Sequence, residues 1–297
     1  MDQHQPPAGT LETERIPLVG YRQAYDAIEA AFAGRRAFSL VRLGDGESAV
    51  LGFPDAVHPV RHARWMSSFF GPGLLAPEAS ARLRAGVEAA VAGAEVVGLH
   101  RERFREPKRA VTEALEIGAN AAPGTEELRA INFLERRLLH YVVAPHLRAT
   151  QLLTDANVHL DMHRSGLLVE LMRRSEVVSI VSGNPEVAAR LSDIFGGTAF
   201  ELTLVPGEFK WAPDRADWEQ RDRHFPAVFE RVVQRIRGGG MRYLVLVGAG
   251  PCGKIYCEEV RRAGGMALDI GSILDLWCGR MTRSYMVGER RVVVQPA

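Results

Sequence analysis

Ser39-Leu40-Val41-Arg42-Leu43-Gly44-Asp45-Gly46-Glu47 is the stretch that decides how the chain is read. The run from Phe38 to Leu43 is largely apolar and ends abruptly in Gly-Asp-Gly-Glu. That is the pattern of a buried strand delivered into a tight turn, with two carboxylates at its mouth. Asp45 and Glu47 are spaced D-x-E around Gly46. Such a pair can turn both carboxylates toward one hard cation, and glycine lets the backbone bend closely around it. Asp-Gly also makes ordinary turns. The segment by itself leaves both readings open.

Working outward, helices and short strands alternate. Tyr21 to Gly34 has the apolar spacing of a helix and stops at Gly34. Pro77 to Ala92 reads as a helix and Glu95 to Leu99 as a strand. Lys108 to Gly118 and Thr125 to about Leu147 read as helices, with Pro145 kinking or ending the second. From Val177 onward the alternation is regular: strands at 177–181, 200–205, 243–247 and 266–270, with helices between them. The best-defined strands are continuous apolar runs, as expected when helices cover both faces of a parallel sheet. The expected fold class is α/β, Rossmann-like, with a mostly parallel sheet, helices on both faces and an irregular helical insertion near 101–150. Residues 1–15 are polar and read as a disordered tail, leaving 16–297 as one domain.

Asn157-Val158-His159-Leu160-Asp161-Met162-His163 alternates polar and apolar residues strictly. As a strand it would place Asn157, His159, Asp161 and His163 on one face. An H-x-D-x-H face of that kind can hold a metal or position a substrate. It is also what a half-exposed strand with one wet face looks like.

A second glycine-rich segment follows the strand at 243–247. Gly248-Ala249-Gly250-Pro251-Cys252-Gly253-Lys254 matches G-x-G-x-x-G between a strand and a helix. Asp269 lies at the end of the next strand, as in a dinucleotide fingerprint. Backbone N–H groups at a helix N-terminus suit a diphosphate, and Lys254 adds a positive charge. Too few residues follow Asp269 to build the second half of a dinucleotide fold. One nucleotide diphosphate therefore suits the loop better than NAD or FAD. A turn that only permits close helix–strand packing remains the plain alternative. Both glycine segments fall at the carboxyl ends of strands, the ligand-binding edge of a parallel sheet. A divalent cation held by one or two carboxylates plus phosphate oxygens would fit Mg²⁺ or Mn²⁺.

Composition excludes several classes. A formal net charge of +1 over 297 residues gives no nucleic-acid footprint or polybasic membrane face. No apolar run is long enough to span a bilayer, and the N-terminus lacks the apolar core of a signal peptide. Three cysteines without paired spacing argue against a disulfide framework and for a reduced, cytoplasmic setting.

Three segments together resemble the GT-D-type glycosyltransferases. Arg42-Leu43-Gly44-Asp45-Gly46-Glu47 resembles that family's R-[FL]-G-D-G-E segment. Gly250-Pro251-Cys252-Gly253-Lys254 resembles its G-P-x-x-K loop, and Ala267-Leu268-Asp269-Ile270-Gly271 its A-x-D-I-G strand end. The resemblance implies a Rossmann-like fold and a metal-dependent, hexosyltransferase-like enzyme. In such an enzyme a D-x-E pair holds Mn²⁺ or Mg²⁺ against the diphosphate of a UDP-sugar. By that resemblance Asp45 and Glu47 are the metal ligands. Arg42, Gly44, Gly248, Gly250, Lys254 and Asp269 join them as nucleotide-sugar contacts. The acceptor would be a hydroxyl of a glycan or of a lipid-linked or protein-linked glycoconjugate. The resemblance names no catalytic base. Asp161, His163 and Glu208 are candidates from position and chemistry. A nucleotide-dependent oxidoreductase using the G-x-G-x-x-G loop and a non-catalytic nucleotide-sugar binder stand as the alternatives.

Overall fold

The structure is a computed structural model, and it describes residues 18–51, 66–67, 69–71, 76–100, 139, 142–207 and 223–283. The tail at 1–15, the helices expected at 108–118 and over most of 125–147, and Glu208 lie outside the described residues. In chain order the elements are α1 (Tyr21–Ala33), β1 (Phe38–Arg42), α2 (Asp45–Val50), α3 (Pro77–Gly93), β2 (Val96–Leu99) and β3 (Leu152–Asp155). Then come α4 (Val158–Arg164), α5 (Leu167–Arg173), β4 (Val177–Ser182), α6 (Val187–Ile194) and β5 (Ala199–Leu204). The last are α7 (Phe229–Arg237), β6 (Leu244–Gly248), α8 (Gly250–Arg262), β7 (Met266–Asp269) and α9 (Ile273–Trp277).

The seven strands form one sheet in the order β3-β2-β1-β7-β6-β4-β5, and every pairing is parallel. The expected Rossmann-like α/β architecture is what forms. Apart from the half-exposed edge strand β5, alternate residues of each strand enter two separate cores. On β6, Leu244 and Leu246 pack with Ile28 of α1 and Leu168 of α5, whereas Val245 and Val247 pack with Val87 of α3 and Ile255 of α8. Both faces of these inner strands are dry, which is why they read as largely apolar runs. Helix α1 shows the same logic: Ala24, Ile28 and Ala31 form one buried stripe, and the Gly34 N–H closes the helix on the Ala30 carbonyl. Burying one such isoleucine contributes about 1.5–3 kcal/mol.

Two expectations are corrected. The alternating segment 157–163 is not a strand. Strand β3 ends at Asp155, whose Oδ1 accepts the Asn157 N–H at 2.8 Å and turns the chain into α4. Helix α4 is buried on most sides, with Val158, His159, Leu160 and Met162 all inside. Its exposed stripe, Asn157, Asp161 and Arg164, spans only two turns, so the strict polar–apolar alternation of so short a segment imitates a strand. The D-x-E segment is not a turn either. Gly44 is the N-cap of α2, and Asp45 and Glu47 sit in the first turn of that helix. Near the end of the expected long helix, Pro145 sits in a short 3₁₀ turn, Ala144–His146. Among the described residues no helix is long and apolar enough to cross a membrane.

Candidate functional site

Strand order builds the site. Strand β7 lies between β1 and β6, so residues 44–47 and 248–254, some two hundred positions apart, become neighbours across one strand. Asp269, the last residue of β7, stands between them. A cleft of about 620 Å³ opens over these carboxyl ends, where parallel sheets bind ligands.

Arg42 ends β1 and ties three elements together. Its Nε donates to the Asp269 carbonyl at 2.8 Å and its Nη1 to the Ala156 carbonyl at 3.0 Å. The same Nη1 donates to His159 Nδ1 at 2.7 Å, and Nη2 pairs with Asp269 Oδ1 at 3.4 Å. This crowding explains Gly271, which has φ +52° and where a Cβ would stand 2.4 Å from Arg42 Nη2. Only glycine satisfies both the backbone and the guanidinium.

Lys254, in the first turns of α8, is the hub. Its Nζ lies 2.6 Å from Glu47 Oε1, 3.1 Å from Asp269 Oδ2 and 3.3 Å from the Gly250 carbonyl. The side chains of Lys254, Glu47 and Asp269 are 6%, 8% and 3% exposed, so water screens little of this. Burial alone would lower the Lys254 pKa, but Asp269 and Glu47 outweigh it and raise it. Burial likewise pushes Asp269 up, and Lys254 and Arg42 together overcome that and hold its carboxyl below the ordinary value. Both groups are therefore charged at neutral pH.

Glu47 faces two donors. Oε1 takes Lys254, and Oε2 accepts the Gly44 N–H at 2.8 Å, which closes a capping interaction at the start of α2. Gly46 permits the close approach beside it: a Cβ there would stand 2.6 Å from the Phe69 ring. That ring also lies against Gly250, so one aromatic spans both glycine segments on the cleft wall.

Histidines add a polar lining. His159 is buried, and burial followed by the Arg42 charge lowers its pKa well below the ordinary value. His224 accepts or donates at Nε2 with the Tyr256 hydroxyl at 2.8 Å, and burial lowers its pKa to about 4. His100, half-buried, follows β2 directly, with its Nε2 3.9 Å from where a Gly44 Cβ would stand. Sequence reasoning missed His100. The available signal was positional: it is the first polar residue after an apolar strand, at the same edge as Gly44.

Arg42, Gly44, Glu47, Gly248, Gly250, Lys254 and Asp269 all line the cleft. For Asp45 the structure describes the backbone, at the first position of α2. Asp161 and His163 are not among the residues lining the cleft. Asp161 pairs with Arg164 at 3.6 Å, and His163 Nδ1 accepts from Trp277 Nε1 at 3.3 Å. On a helix His159 and His163 share a face and Asp161 leaves it, so the H-x-D-x-H constellation does not assemble. The donor chemistry at α2 fits a hard divalent cation, since carboxylate oxygens keep a second lone pair after accepting one hydrogen bond. Among the described residues no three His, Cys, Asp or Glu groups converge.

A family model described as a GT-D fold-like domain matches residues 19–202. A solved structure described as "A New Glycosyltransferase (DUF1792) from Streptococcus sanguinis" superposes with a TM-score of 0.52 at 17% identity, covering 95% of this chain and 95% of that one. Another, described as "The highly conserved domain of unknown function 1792 has a distinct glycosyltransferase fold", gives 0.52 at 15% identity, covering 98% of this chain and 89% of that one. No curated protein matches the sequence.

Proposed function

The chain belongs to the GT-D-like family, and on that premise we propose that it is a glycosyltransferase that moves a sugar from a nucleotide-sugar donor, a UDP-sugar, to a hydroxyl of a glycan or glycoconjugate. The observation that carries the reading is the convergence of Glu47, Lys254 and Asp269 at one strand edge, beside the N-terminus of α8. Helix N-termini favour anions, and the thirteen-residue α8 opens on the cleft. Asp45 and Glu47 would hold Mn²⁺ or Mg²⁺ together with the donor's diphosphate. When bound, the metal neutralises charge that builds on the departing nucleoside diphosphate.

The chain's own residues do the rest. Arg42 and Asp269 fix the floor and keep β1, β7 and α4 in register. Phe69 closes the wall over Gly46 and Gly250. His100 is the group we assign to the acceptor's proton, because it stands half-buried on the cleft lining beside Gly44. A base must come within hydrogen-bond reach of the acceptor hydroxyl, and His100 lines the cleft next to the D-x-E helix.

Calorimetry with UDP, with and without Mn²⁺, tests the site. Metal-dependent binding that is lost in the Asp45→Ala, Glu47→Ala double variant supports it. Undiminished binding in that variant refutes it. For His100→Asn, the expected result is intact UDP binding with transfer or donor hydrolysis slowed about 10²-fold or more.

A further inference from the structure

We propose that Lys254 is the resident counter-ion of the D-x-E carboxylate and holds divalent-cation affinity low until a diphosphate enters. The inference rests on the metal role given above to Asp45 and Glu47. Lys254 cannot be read simply as a cation waiting for phosphate. Its ammonium already meets Glu47 Oε1, Asp269 Oδ2 and the Gly250 carbonyl, three acceptors for three protons. Only 6% of its side chain is exposed, so water screens little of these contacts.

Glu47 is therefore neutralised before any ligand arrives. A divalent cation approaching its carboxylate meets a fixed positive charge on one oxygen and the Gly44 N–H on the other. Like charges sharing one carboxylate repel strongly inside a poorly screened cleft. A diphosphate changes the balance. Its oxygens at the N-terminus of α8 lie where Lys254 is already hydrogen-bonded to the Gly250 carbonyl. They draw the ammonium from Glu47 and free that carboxylate for the metal. Donor and metal then bind together, and metal alone binds poorly.

The test is titration of Mn²⁺ alone into wild type, Lys254→Met and Lys254→Arg, followed by the same titrations with UDP present. Removing the ammonium is expected to tighten Mn²⁺ binding in the absence of UDP by about tenfold or more, the scale of repulsion between nearby charges even in a water-like dielectric. Lys254→Arg keeps the charge and is expected to stay within a fewfold of wild type. UDP is expected to tighten Mn²⁺ in wild type and much less in Lys254→Met. Lys254→Gln, which can still hydrogen-bond Glu47, carries the same expectation as Lys254→Met and serves if the methionine variant does not fold. Unchanged or weaker Mn²⁺ binding in the folded neutral variants, with UDP still tightening Mn²⁺ in wild type, overturns this inference alone. Absence of any joint binding of UDP and Mn²⁺ to wild type overturns the site reading beneath it, and the inference with it.

Discussion

Asp269→Asn removes one charge from the buried cluster while keeping the side chain's shape, so no cavity complicates the result. In the wild type, Asp269 Oδ2 accepts from Lys254 at 3.1 Å and from the Arg42 N–H at 3.2 Å, and Oδ1 faces Arg42 Nη2 at 3.4 Å. The side chain is 3% exposed, so solvent screening offers little discount. Breaking a buried pair from one side costs about 3–5 kcal/mol. Each cation keeps partners here: Lys254 retains Glu47, and Arg42 retains two carbonyls and His159. The loss should therefore fall near the lower end, about 3 kcal/mol. That corresponds to a fall in melting temperature of about 6–12 °C. Urea and thermal unfolding at pH 7 measure it. Adding Lys254→Met should then cost less than the two single losses combined, by about 1–3 kcal/mol. The sign with pH is fixed as well. Because the folded carboxyl titrates below its unfolded value, its contribution is complete above about pH 4 and fades as pH falls through the folded value. The gap between wild type and Asp269→Asn should be constant from neutral pH down to that point and close below it. A loss under about 1 kcal/mol at pH 7, or strict additivity with Lys254→Met, would refute the cluster as the organiser of the site.

Gly271→Ala should destabilise by about 2 kcal/mol or more, because the left-handed backbone penalises a Cβ and that Cβ would push the Arg42 guanidinium off Asp269; unfolding titrations that find less than additive losses with Asp269→Asn support the shared origin. Gly46→Ala should destabilise by about 1–2 kcal/mol, since its methyl collides with Phe69. In a Phe69→Ala background the same change should turn stabilising by about 0.5–1 kcal/mol, as alanine is the better helix former; no change of sign in the melts refutes that contact. Burial keeps His224 neutral in the folded protein, with its pKa lowered to about 4. The unfolded chain takes up that proton first, so stability should fall from about pH 6.5 downward, by about 3 kcal/mol at most for this residue. A stability curve flat between pH 7 and 5 would contradict it.

The strands were legible because both faces of the sheet are covered. Val177–Ser182 and Leu244–Gly248 carry apolar side chains into two cores, so their runs stand out from the polar helix surfaces around them. The glycine segments were legible for a related reason: each interrupts such a run where the chain must turn at the sheet edge. Helix α4 was not legible, because residues 157–163 alternate polar and apolar strictly and its exposed stripe, Asn157, Asp161 and Arg164, is only two turns long. The role of Lys254 was out of reach for a different reason. A lysine at the start of a helix reads as a free cation unless the strand order is known. Only the insertion of β7 between β1 and β6 brings Asp269 and Glu47 to its ammonium. His100 was missed because a single histidine after a short strand carries no pattern, whatever lies beside it in the fold.

That strand order has an electrostatic consequence. Arg42 and Lys254 are matched by Glu47 and Asp269, so these four buried charges cancel among themselves. His159 and His224, lining the same cleft, are kept neutral by burial. The floor therefore offers an incoming diphosphate hydrogen-bond donors and a helix N-terminus but little surplus positive charge. A helix terminus contributes at most about 2 kcal/mol to holding an anion, too little for the multiple charge of a diphosphate taken out of water. The charge that a diphosphate needs, beyond what Arg280 and Arg283 on the cleft lining offer, would enter with the ligand or be released from within the cluster. A divalent cation on the D-x-E helix would supply the first, and transfer of Lys254 from Glu47 to phosphate would supply the second. On the reading proposed above each would make the other possible, since the carboxylate that Lys254 leaves is the one the cation would need.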